Sequence, residues 1–139
     1  MRITFDTNII LDNLLSREPF ADSSTRALKL AETGYFTGYI TANSITDIYY
    51  HTVKVVRDDK RVRQLLRKVL SSLKVIDVLN RDIQMALASP MPDFEDALLA
   101  ACAKRAKSDY ILTRNEEDFA DSPVAALTPE VFLKQVPVE

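Results

Sequence analysis

Four aspartates define the chemistry open to this sequence: Asp6, Asp47, Asp96 and Asp118. Carboxylates gathered in one place repel one another unless a cation neutralises them or some take up protons. A divalent ion is the usual resolution. Mg²⁺ or Mn²⁺ suits hard oxygen donors in an octahedral site that keeps several waters, so a few carboxylates with open positions would hold a catalytic ion. A zinc cage is excluded, because the sequence holds one cysteine, Cys102, and one histidine, His51. A glycine-rich phosphate loop is excluded too, since the glycines are Gly34 and Gly38 alone. Each acid also has an ordinary role to weigh. Asp6 suits a helix cap as well as it suits a ligand. Asp47 shares a helix face with Ser44, His51 and Lys54, the pattern of a solvated side. Asp93 reads as a cap, and Asp96 as a first-turn acid favoured by the helix dipole. Asn115 to Asp118 also fits a capped turn. Residue types and spacing alone therefore support an acidic rim and nothing narrower.

The elements that must position these acids follow from periodicity. Arg2 to Asp6 reads as a buried strand, and Ile9-Ile10-Leu11 begins a helix. A helix after Pro19 closes at Gly34, and a strand runs from Phe36 to Thr41. A helix from Ala42 places Ile45, Ile48, Tyr49, Thr52 and Val56 on one stripe. Asp58-Asp59 starts the next helix, with Val62, Leu65, Leu66, Val69 and Leu73 facing a core. Lys74 to Val78 forms a strand, Asn80 caps a short helix ending near Ser89, and Asp93 caps one from Phe94 to about Lys107. Tyr110 to Thr113 is a strand, followed by a turn over Arg114 to Phe119, a short apolar segment at Val124 to Leu127 and a helix from Pro129 to Gln135. Strands alternating with helices imply a three-layer α/β/α fold around a mainly parallel sheet of four to five strands. Ligands of such sheets collect beyond the carboxyl ends of the strands, which places Asp6 and Arg114 to Asp118 on one rim within reach of Asp47 and Asp96.

Composition narrows the class. A chain of 139 residues with 47% hydrophobic content can bury one core, so a single domain over residues 1–139 is expected. Eighteen basic and 20 acidic side chains leave a net charge of −2, which excludes general polyanion attraction and requires any nucleic-acid surface to be local. Cys102 sits in the apolar run Ala97 to Ala103, where packing is its expected role. One cysteine forms no internal disulfide, which suits a reducing cytoplasm. Asp6, Asn8 and Asp12 interrupt any signal-peptide core, and no apolar run approaches the ~18 residues of a membrane helix. The expectation is a cytoplasmic protein with no membrane association.

Three segments taken together are more specific than any of them alone. Phe5-Asp6-Thr7-Asn8 follows the first strand, Asp93-Phe94-Glu95-Asp96-Ala97-Leu98 opens a late helix, and Tyr110 to Asn115 with Asp118-Phe119 follows the next strand. In this order and spacing the chain resembles PIN-domain nucleases over essentially its whole length. The resemblance implies a metal-dependent ribonuclease, using Mg²⁺ or Mn²⁺, whose products carry 5′-phosphate and 3′-hydroxyl ends. Small bacterial and archaeal members are commonly the toxin of a toxin–antitoxin pair, so a cognate antitoxin and a homodimer are implied as partners. The family's acids fall on Asp6, Asp47, Asp96 and, less constantly, Asp118. Asp6 and Asp96 would be the main metal anchors, Asp47 would position the attacking water, and Asp118 would help hold a second ion. Thr7, Asn8, Thr113 and Asn115 would orient carboxylates and waters. One departure stands out: the second acid is commonly glutamate, and Asp47 is shorter by a methylene. Asp93, three residues before Asp96, could share its role.

Candidate contacts to RNA are Arg114, Tyr49, Tyr50, His51 and Lys54. The basic residues Arg61, Arg63, Arg67 and Lys68 read as a solvated helix face before they read as an RNA track. A phosphotransferase of the haloacid-dehalogenase type would need a second aspartate two residues after Asp6, where this sequence has Asn8. The remaining alternative is a noncatalytic scaffold of the same fold that binds RNA or protein.

Overall fold

β1 (Arg2–Phe5) runs through the middle of the molecule, and everything else is arranged about it. The structure is a computed structural model that describes residues 1–136. β2 (Thr37–Thr41), β3 (Lys74–Ile76), β4 (Tyr110–Leu112) and β5 (Ala126–Leu127) complete a five-stranded sheet of order β3-β2-β1-β4-β5. Every pairing is parallel. Parallel strands need crossovers, and helices supply them on both faces. The result is a three-layer α/β/α fold.

Alternation along β1 divides the core. Ile3 and Phe5 point into a cluster with Ile9, Ile10, Ile40, Ile48 and Leu112 under α1 (Thr7–Leu14), α2 (Ala21–Glu32) and α3 (Ala42–Val56). α4 (Asp59–Leu70) and α7 (Pro129–Gln135) add Leu66, Val69 and Phe132 to that side. Thr4 points the other way, its hydroxyl 2.6 Å from that of Ser108. On that face α5 (Asn80–Leu87) and α6 (Phe94–Arg105) cover the sheet with a cluster that includes Ile76, Leu99 and Ile111. α6 is buried continuously from Ala97 to Ala103, which its small side chains allow and a helix wetted on one side would not. Cys102 lies in that run, and burial pushes its thiol pKa up to about 12, so packing is its role.

Several boundaries differ from the sequence reading for identifiable reasons. β1 stops at Phe5, because Asp6 already caps α1. β3 ends at Ile76 rather than Val78, and β4 at Leu112 rather than Thr113. α5 begins at Asn80 with Leu79 as the residue before it, because Asp82 reaches back to accept the Leu79 N–H at 2.9 Å and does the work expected of Asn80. α6 ends before Lys107, which takes a left-handed φ of 60° while the Ser108 N–H returns to the Ala103 carbonyl at 2.9 Å. Asp58 caps α4, Asp93 caps α6 and Thr128 caps α7, each accepting an N–H three residues on. α5 and α6 are joined by the buried carboxylate of Asp82, which accepts from Arg105 Nε and Nη2 at 2.9 to 3.1 Å. Burial alone would raise the pKa of Asp82, but Arg105 and the Leu79 amide hold it below the ordinary value. Among the described residues no helix is long and apolar enough to cross a membrane.

Gly38 in β2 lies where three elements meet. A Cβ there would fall 2.7 Å from Leu73 Cδ2, 3.0 Å from Phe5 Cε2 and 3.1 Å from Ala31 Cβ. Gly38→Ala is therefore expected to destabilise by about 1–3 kcal/mol through overpacking. The measurement is urea unfolding: the midpoint should fall with the slope unchanged.

Candidate active site

Asp6 occupies the first position past the central strand, where the backbone is still extended at φ −70°, ψ 151°. The Thr7 N–H donates to one of its carboxylate oxygens and the Thr113 hydroxyl to the other, both at 2.8 Å. Asp6 is thus a helix cap and a cleft residue at once, so its capping role leaves it available to the cleft. Burial raises its pKa; Thr113, Thr7 and the charge of Arg114 pull it back, and Asp93 adds to the rise. Thr113 is itself fixed, since its hydroxyl oxygen accepts the Asn115 N–H at 3.2 Å.

The other acids arrive on three further elements. Asp93 caps α6 through the Asp96 N–H at 2.9 Å, so Asp96 sits in the first turn, half-buried. Its pKa is pushed up to about 7, chiefly by burial, then by the charges of Asp6, Asp93, Asp118 and Glu95. Asp118 stands in a 3₁₀ turn (Glu116–Phe119) held by its own N–H to the Asn115 carbonyl at 3.0 Å. Asp47 projects from the first turns of α3. Ser44, one turn before it, is buried with its hydroxyl 2.6 Å from that of Thr41. The stripe of Ser44, Asp47 and His51 therefore lines the cleft, whereas the sequence pattern suggested a solvated face.

All four aspartates border one cleft of about 240 Å³. Thr7, Asn8, Thr113 and Asn115 border it too, as does Asn43, which the sequence reading passed over. The Asn43 side-chain oxygen is buried without a hydrogen-bond partner. A buried acceptor lacking a donor, beside carboxylates that raise one another's pKa, fits a hard cation and its waters. Among the described residues no three acids, histidines or cysteines close into a ready cage.

Most of the expected RNA contacts lie elsewhere. Of Arg114, Tyr49, Tyr50, His51 and Lys54, His51 alone borders the cleft. Arg114 turns away to Asp12, with Nε 3.1 Å from Oδ2. The Tyr49 hydroxyl donates to Asp59, which also binds Arg63 at 2.9 Å. Tyr50 is 62% exposed, and Lys54 is also exposed. Arg61, Arg63, Arg67 and Lys68 are exposed on α4, as a solvated face requires.

The family described as PIN domain matches residues 2–117. The chain belongs to the PIN domain family. Asp6, Asp47 and Asp96 fall inside the matched span, and Asp118 stands one residue beyond it, placed at the cleft by geometry. Solved PIN-like structures agree on the fold. VapBC2 from Rickettsia felis, bound to a DNA fragment from their promoter, superposes with a TM-score of 0.71 at 19% identity, covering 92% of this chain and 98% of that one. A toxin–antitoxin complex from Klebsiella pneumoniae gives 0.68 at 24% identity, covering 91% and 97%. PAE2754 from Pyrobaculum aerophilum gives 0.64 at 20% identity, covering 97% and 88%. No curated protein matches the sequence.

The raised pKa of Asp96 makes a stability prediction for this PIN domain in the absence of metal. A carboxyl that titrates near 3.8 unfolded and about 7 folded binds more protons in the folded state between those values. Its stabilisation is complete below about pH 4 and is lost as pH rises through about 7. In EDTA, the melting temperature should fall over that window more steeply for the wild type than for Asp96→Asn. Parallel curves would mean that Asp96 titrates normally.

Proposed function

We infer that this PIN domain is a metal-dependent endoribonuclease that hydrolyses RNA phosphodiester bonds and acts as the toxin of a toxin–antitoxin pair. The observation that carries the reading is the meeting of Asp6, Asp47, Asp96 and Asp118 at one cleft, where burial first, and then the charges of Asp6, Asp93, Asp118 and Glu95, raise the pKa of Asp96 to about 7. Such a cleft repels a phosphodiester by itself, and a bound cation reverses that. Mg²⁺ or Mn²⁺ would supply a more nucleophilic water and offset charge on the phosphoryl oxygens. Asp6 and Asp96 would hold the ion, and Asp118 would help hold a second if two bind. Asp47, shorter than the usual glutamate, would act on water in the cleft. Thr113 and the Thr7 amide keep both oxygens of Asp6 directed, so the carboxylate need not reorder when substrate arrives. His51 is the bordering side chain able to carry positive charge toward a phosphate.

The toxin role is supported by the solved relatives that are themselves toxin–antitoxin assemblies. A cognate antitoxin and a homodimer belong to the same reading, as does a cytoplasmic location. Leu79, just before α5, and Ile83 and Leu87 on it are exposed at four-residue spacing, an apolar stripe that supports a protein partner.

Incubating the protein with structured RNAs in Mg²⁺, Mn²⁺ or EDTA tests this directly. Metal-dependent cuts bearing 5′-phosphates are expected, with Asp6→Asn and Asp96→Asn each reducing the rate on the order of a hundredfold or more. Mn²⁺ should also raise the wild-type melting temperature at pH 7.5, because it binds only the folded cleft. No cleavage combined with no metal-dependent stabilisation would overturn the catalytic reading and leave a noncatalytic scaffold.

A further inference from the structure

Asp12 lies in the last turn of α1 and is fully buried, at 0% exposure. Neither of its carboxylate oxygens accepts a hydrogen bond. A buried carboxylate so placed is costly unless charge compensates it. Two guanidinium groups do so: Arg114 Nε lies 3.1 Å from Oδ2, and Arg17 Nη1 lies 4.0 Å from Oδ1. Burial still raises the pKa of Asp12, with Arg114 and Arg17 acting against the rise and Glu130 adding to it. The Arg17 N–H donates to the Asp12 carbonyl at 3.0 Å, which folds that loop back on the helix. The Arg114 guanidinium also lies 4.3 Å from the centre of the Phe20 ring, a cation–π distance.

What makes this pair more than a structural contact is where Arg114 sits in the chain. Its neighbour Thr113 donates to Asp6, and its neighbour Asn115 borders the cleft and accepts the Asp118 N–H. The segment from Thr113 to Asp118 therefore shows the cleft Thr113, Asn115 and Asp118 on one side and, on the other, sends a cation down to α1. α1 is the helix that Asp6 caps.

We propose that Asp12 and Arg114 are positioning residues, whose ion pair fixes the Thr113–Asp118 segment against α1 so that Asp6 and Asp118 face the same volume. The proposal rests on the metal-dependent reading of the cleft. Neither residue touches substrate. A purely structural pair would stabilise the whole fold without favouring one loop, whereas a positioning pair acts on the cleft before it acts on the core.

Two readouts separate these roles: Mn²⁺ affinity by calorimetric titration, and hydrogen exchange at the Asn115 to Asp118 amides without metal. The double variant Asp12→Asn with Arg114→Gln leaves no fully buried charge unpaired, since Arg17, which loses Asp12, is partly exposed. It is expected to bind Mn²⁺ about tenfold more weakly or worse. Its Asp118 amide should exchange about tenfold faster while the β1 and β4 amides keep their protection. Should the double variant fail to fold, Arg114→Lys, which keeps a cation opposite Asp12, decides by the same two readouts with smaller shifts in the same direction. A folded variant with wild-type Mn²⁺ affinity and unchanged Asp118 exchange overturns the proposal. If the wild type binds no Mn²⁺, the metal reading fails, and the exchange measurement alone decides the positioning claim.

Discussion

Carboxylates confined to one cleft push each other apart, and this repulsion is the constraint that the architecture answers. The parallel sheet brings Asp6 and the Thr113–Asp118 segment to one end, because every strand points the same way and every following turn emerges on the same rim. Rigid fixtures then hold each acid: two donors on Asp6, the Asp93 cap in front of Asp96, and a single tight turn under Asp118. None of these fixtures neutralises charge, and burial, with the neighbouring acids adding to it, raises the pKa values of Asp6 and Asp96.

The opposing stability comes from the core. Ile3, Phe5, Ile111 and Leu112 are wholly buried in adjacent strands, and the helices above and below are fitted to them closely. Gly38 shows how little slack remains. A loosely packed sheet would let the strand ends part and relieve the strain by separating the acids. Tight packing at the centre is therefore what allows an unfavourable arrangement at the rim.

What could be seen in the sequence was whatever depends on near neighbours. The Asp93 cap is a short-range signal, and so are the acids Asp58-Asp59 at the start of α4 and Pro129 at the start of α7, whereas the Thr128 cap appeared only in the structure. The parallel sheet followed from alternation, and the gathering of the four aspartates followed from the sheet. Long-range pairings were out of sight. Asp12 reads as a polar interruption of an apolar helix, and nothing in its surroundings announces Arg114, which belongs to another strand's turn. Arg114 was accordingly assigned to substrate, since it stands beside Thr113 and Asn115. The pairing of Asp82 with Arg105 was hidden for the same reason. The stripe of Ser44, Asp47 and His51 was left open for another reason: periodicity tells which side chains share a face, but not whether that face is plain surface or the wall of a cleft.

The position of β1 has a bearing on the protein's birth on the ribosome. The strand at the centre of the sheet is built from residues 2–5, while its neighbour β4 spans residues 110–112. The central strand thus emerges early and waits, one edge open, until more than a hundred later residues have been translated; its partners are distant in sequence, and such contacts form late. Asp6 cannot meet Thr113, nor can the cleft acquire Asp118, in a nascent chain that has not reached them. The cleft therefore has its full set of aspartates only once residues as far apart in the chain as Asp6 and Asp118 have both been translated.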